Sequence, residues 1–162
     1  METVSIRMRG ILPLYDMQTS FYPKVLDGIS DDDAHKRLET QANHVAWLAG
    51  SLVQQRFDTA GLLGVSDKSF ADELFSNFQG IKNGQRYPSL ETYKKDWEKI
   101  TPLLREKLAQ VTDEQLDRIL QFPGMSMPLW DLLAFNSYRE ANCIGQIALW
   151  RRLLDYPAMK YM

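Results

Sequence analysis

The chain has 162 residues, 44% of them hydrophobic and 25% charged, with a formal net charge of −2. That size and apolar fraction suit one globular domain with a core of its own, expected over residues 1–162. The near-neutral balance without a basic block excludes a nucleic-acid footprint, no apolar run approaches the roughly 18 residues of a membrane span, and the one cysteine cannot form an internal disulfide.

Apolar spacing predicts helices almost throughout. The first is expected over Gly10–Ile29, carrying Leu12, Tyr15, Met17, Phe21, Val25 and Leu26. Pro13 suits a first turn, and Pro23 predicts a kink. Ser30-Asp31-Asp32-Asp33 is a cap, with a short helix over Asp31–Leu38. The spaced ligands and glycine of a calcium loop are missing there. A second long helix is expected over Gln41–Thr59, ended by Gly61 and Gly64.

Residues 61–88 form a long connection, with a short helix over Phe70–Phe78 and a loop from Gly80 to Pro88. Connections of this length are often functional or packed over a core. Ser89 caps the third long helix, which runs to Gln110. Its stripe is Leu90, Tyr93, Trp97, Ile100, Leu104 and Leu108, and Pro102 inside it predicts a kink. Thr112-Asp113-Glu114 opens a short helix carrying Leu116, Ile119 and Leu120. A turn follows at Phe122-Pro123-Gly124-Met125. The fourth long helix is expected over Pro128–Leu154. No alternating strand pattern stands out. The four tryptophans, Trp47, Trp97, Trp130 and Trp150, fall on apolar helical positions and are expected in the core or an interface.

Two stretches carry a more specific signal. The fourth helix contains Ser137-Tyr138-Arg139-Glu140-Ala141-Asn142-Cys143-Ile144-Gly145-Gln146, followed by Ile147-Ala148-Leu149-Trp150-Arg151-Arg152. The second contains Asn43-His44-Val45-Ala46-Trp47-Leu48-Ala49-Gly50-Ser51-Leu52. Together they resemble the DinB-like (YfiT-like) family of small four-helix-bundle proteins, many of them metal-dependent. The family pattern in the last helix is His-x-x-x-His-x-Gly-Gln, and that in the second ends in Gly-His-Leu. The resemblance implies an all-α four-helix bundle with a long connection between helices two and three. It also implies a three-histidine metal site, whose positions are held here by Ser51, Arg139 and Cys143.

Residues four apart on a helix share one face, so two histidines at that spacing can grip one ion with a third ligand from a neighbouring helix. Arginine stays protonated and offers donors only. A serine hydroxyl does not ionise readily, and one thiolate cannot hold a metal alone. No resident metal or other cofactor is therefore expected; a divalent metal in an unusual ligand set is the alternative. His44 lies seven residues before Ser51, roughly 10 Å along the axis, and is expected at the helix N-terminus, packed or solvated beside Asn43.

If Arg139 points inward it needs a partner. Asp96 or Glu98 could supply one, or an anionic ligand could. Glu140 faces about 100° away from it. Cys143 is either a reactive thiol aided by Arg139 or a small buried apolar residue, and no histidine pairs with it in sequence. The first functional expectation is a ligand-binding or structural protein whose pocket candidates are Ser51, Arg139, Cys143 and His44. The second is a thiol- or metal-dependent transferase using Cys143, since relatives of this type include such enzymes. The resemblance also implies a homodimer, without nucleic-acid or membrane partners. The lone thiol suits the cytoplasm, and Arg7 and Arg9 are not followed by an apolar signal region.

Overall fold

A computed structural model describes residues 3–162. Four long helices dominate it: α1 (Met8–Leu26), α3 (Val45–Leu62), α5 (Leu90–Gln110) and α7 (Leu129–Leu153). Three short ones lie between them: α2 (Asp31–Ala34), α4 (Asp72–Phe75), continued by a 3-10 turn over Ser76–Phe78, and α6 (Asp113–Asp117). The long helices close a ring in which α1 and α3 each touch both α5 and α7. No helix among the described residues is long and apolar enough to cross a membrane.

The α5 stripe read from the sequence is buried at all six positions, from Leu90 to Leu108. Ser89 caps the helix, its hydroxyl accepting the Thr92 N–H at 3.1 Å. α3 is buried nearly all round, from Val45 and Ala46 to Thr59 and Ala60, because it packs against α5, α7 and the connection that follows it. Trp97 and Trp150 are buried, and Trp47 and Trp130 are half-buried.

Several expectations need correction. α1 begins two residues earlier than expected, so Pro13 lies in its interior, as Pro23 does; Pro102 lies inside α5. α2 stops at Ala34, well before Leu38. The second long helix starts at Val45 rather than Gln41, and His44 is its cap. The short helix opened by Thr112 ends at Asp117, and Ile119 and Leu120 belong to a hairpin that the sequence reading lacked. Strand β1 (Ile119–Phe122) pairs antiparallel with β2 (Met125–Pro128), with Leu120 opposite Met127. Between them Pro123 and Gly124, the latter at φ 79°, form the expected turn.

Gly50 marks the closest approach of α3 to its surroundings. A Cβ there would fall 2.5 Å from Phe75 Cζ and 2.5 Å from Tyr93 Cζ and Oη. Both rings are buried and cannot swing into solvent. Gly50→Ala is expected to destabilise the fold by about 1–3 kcal/mol through overpacking. A urea midpoint equal to that of the unsubstituted protein would show that the rings yield freely.

Candidate functional site

The connection between α3 and α5 is tied down by polar contacts. Ser69 Oγ donates to Gln54 Oε1 at 2.6 Å, and Gln54 Nε2 donates to Asp72 Oδ1 at 2.9 Å. The Phe70 N–H donates to Asp96 at 2.6 Å, and Lys99 pairs with Asp67 at 2.7 Å. Phe75 is buried beside Trp47, Tyr87 and Tyr93. The connection thus becomes one wall of a cleft of about 700 Å³, whose other walls are α3, the first half of α7 and Phe122 of the hairpin. That volume lies within the usual range for small-molecule sites.

Of the four pocket candidates, this cleft takes in two. Ser51 and Arg139 both line it. Arg139 Nη1 donates to Gln55 Oε1 at 3.0 Å and approaches the Ser51 carbonyl at 3.4 Å. Neither Asp96 nor Glu98, which could have supplied a carboxylate partner, meets Arg139. Asp96 receives the Phe70 N–H instead, and the half-buried guanidinium is met by neutral oxygens. Cys143, one turn further along α7, is buried and does not line the cleft. Burial pushes its thiol pKa up, against the pull of Arg139, so the environment does not favour the thiolate.

His44 lies elsewhere. It caps α3 by accepting the Trp47 N–H on Nδ1 at 3.1 Å and is packed against His35 and Tyr87, with ring centroids 5.1 and 5.4 Å away. It lines a separate depression with His35, Arg37 and residues 81–86. Burial, with His35 as the next cause, lowers its pKa to about 4.

Ser51, Arg139 and Cys143, the positions that the resemblance would give to metal ligands, do not suit a metal. The Ser51 hydroxyl donates to the Leu48 carbonyl at 2.9 Å, Arg139 brings a fixed positive charge, and Cys143 is out of the cleft. Among the described residues, no three His, Cys, Asp or Glu side chains converge in a way that could hold an ion.

Three features of the cleft escaped the sequence reading. The Trp47 Nε1–H is buried and has no hydrogen-bond partner among the described residues. Phe78 and Phe135 face the cleft while 80% and 52% exposed. Asp58, whose carboxyl accepts from Gln54 Nε2 at 2.9 Å, lines the cleft with Asp72, and burial raises its pKa. The cleft lining therefore brings together Arg139, several phenylalanine rings and three carboxylates, Asp58, Asp67 and Asp72, the last paired with Lys68 at 3.3 Å.

Behind α7 lies the buried ion pair of the core. Arg56 Nε and Nη2 donate to Glu140 Oε1 and Oε2 at 2.7 and 2.9 Å. Arg56 Nη1 donates to the Thr19 and Thr101 hydroxyls at 2.9 and 2.8 Å. Its guanidinium lies 3.5 Å from the Trp97 ring centroid and 4.0 Å from that of Tyr15.

No protein-family model matches the chain, and no curated protein matches it in sequence.

Proposed function

We propose that the protein is a DinB-like four-helix bundle that does without the family metal and binds a small molecule in the cleft walled by Ser51 and Arg139. The observation that carries this reading is the meeting of Arg139 and Ser51 at a ligand-sized opening roofed by the long connection. The ring of four long helices supports the same reading. The transferase alternative, with Cys143 as nucleophile, is disfavoured by the burial of that thiol away from the cleft. The lone reduced thiol suits a role in the cytoplasm.

The test is metal titration followed by dialysis and elemental analysis, on protein without a histidine tag. The unsubstituted protein is expected to retain no stoichiometric zinc, nickel or iron. The triple variant Ser51→His, Arg139→His, Cys143→His is expected to gain a site if the three positions match the family register. One metal per chain retained by the unsubstituted protein would defeat the metal-free reading. A folded triple variant without metal affinity would defeat the placement of the three positions.

The reading includes a homodimer. The outer face of α7 carries Tyr138, Leu149 and Leu153, all more than half exposed, at spacings that make one stripe. Gly145, in the middle of it, has open space around it, so a second helix can approach closely there. Light scattering is expected to give twice the chain mass at micromolar concentration, and Leu149→Glu to give the monomer mass. A monomer before substitution would remove the dimer from the proposal.

A further inference from the structure

Four observations define what the cleft would hold, given the reading of it as a ligand site. First, it has donors without acceptors. Arg139 uses only Nη1 within the protein, leaving its Nε and Nη2 groups without a protein acceptor among the described residues. The buried Trp47 Nε1–H likewise has none. A buried unpaired donor is unfavourable, and an acceptor supplied by a ligand removes that cost.

Second, the two donors share one neighbourhood. Trp47, Ser51 and Gln55 follow at intervals of four on α3, hence on one face. Arg139 bonds at the Ser51 and Gln55 levels, and Trp47 is the next residue of the stripe. Third, much of the cleft lining is aromatic, with Phe75, Phe78, Phe122 and Phe135 in it. An apolar body would cover the exposed faces of Phe78 and Phe135. Fourth, Asp58, Asp67 and Asp72 also line the cleft, with Lys68 paired to Asp72 at 3.3 Å and Lys99 to Asp67 at 2.7 Å. Arg139 is the one lining cation without a carboxylate partner among the described residues, which suits a ligand of one negative charge and disfavours a phosphate dianion.

We propose that the cleft binds an organic monocarboxylate with a flat apolar body, its carboxylate held between the Arg139 guanidinium and the Trp47 indole N–H. A planar fork meeting a carboxylate gives short, directional hydrogen bonds, and the indole supplies a further donor. The aromatic walls then select for the body. This rests on the cleft being a ligand site at all, so the test separates the two claims.

The probes are 1-naphthylacetate and its neutral amide, titrated calorimetrically into the full chain at low and high salt. The acid is expected to bind at least tenfold more tightly than the amide, with a preference that shrinks as salt rises. In Arg139→Gln that preference is expected to fall to about twofold or less. Independently of any Arg139 variant, the indole N–H resonance lost in Trp47→Phe is expected to shift when the acid is added to the unsubstituted protein.

Equal binding of acid and amide would overturn the carboxylate assignment while leaving the cleft as an apolar ligand site. A preference that survives intact in a folded Arg139→Gln, or a Trp47 resonance that does not move, would overturn the assignment to these two residues. Binding of neither probe at millimolar concentration would overturn both the carboxylate proposal and the ligand-site reading on which it rests.

Discussion

Replacing Arg56 by methionine is expected to destabilise the fold by about 3–5 kcal/mol, the usual cost of leaving one member of a buried ion pair without its partner. Arg56 is 1% exposed, and Glu140 is also buried. Without Arg56, the Glu140 carboxylate would lose both of its bonds from that side chain. Glu140→Leu is expected to cost a similar amount, since the guanidinium would keep only the Thr19 and Thr101 hydroxyls and the flanking rings. The double variant Arg56→Met, Glu140→Leu is expected to be no less stable than the worse single one. Apolar residues of similar volume often replace a buried pair at little net cost. Urea unfolding of all four proteins gives the cycle. Additive losses, or single losses below about 1 kcal/mol, would show that the pair does not act as a unit.

Acidification is expected to weaken the protein through His44. Its folded-state pKa is about 4, lowered chiefly by burial from an ordinary value of 6.5. Between those values the unfolded chain takes up a proton that the folded one refuses. The contribution is therefore present in full above about pH 6.5, declines as pH falls toward 4, and is gone below that. A shift of this size corresponds to about 3 kcal/mol. His44→Asn keeps a residue able to cap α3 but does not titrate. The loss of stability from pH 7 to pH 4.5 is expected to be smaller in that variant. Parallel losses in the two proteins would show that His44 is readily protonated in the folded state. Comparing the two cancels the carboxylates, including Asp58, whose raised pKa works in the opposite direction.

The helical order was legible because it rests on local rules. The α5 stripe repeats every three or four residues over about five turns, and Ser89 caps it as its side chain predicts. The hairpin was not legible. Each strand has four residues, too few to show alternation, and β2 ends on Pro128, which also opens the next helix. Glu140 could be placed off the face of Arg139, but its partner lies on another helix, and no local pattern says which cation crosses the core. Ser51 and Arg139 were singled out by the family resemblance alone, and Arg139 Nη1 lies 3.4 Å from the Ser51 carbonyl. Cys143 shares the register but is buried, and His44 is two turns away with a capping role. Trp47 looked like any apolar tryptophan. Its unpaired N–H becomes informative only when the chain from Ser66 to Gly80 is folded over it to form the cleft.

Arg139 and Glu140 share a peptide bond but face different sides of α7. The forked contact of Glu140 with Arg56 resists any roll of α7 about its own axis, because even a small roll would break both bonds together. The azimuth at which Arg139 leaves the helix is therefore held from behind, on the side away from the cleft. Little rotational freedom of that helix is left to be lost when something enters. The guanidinium stands ready-aimed, and the core ion pair serves as the keel that keeps it so.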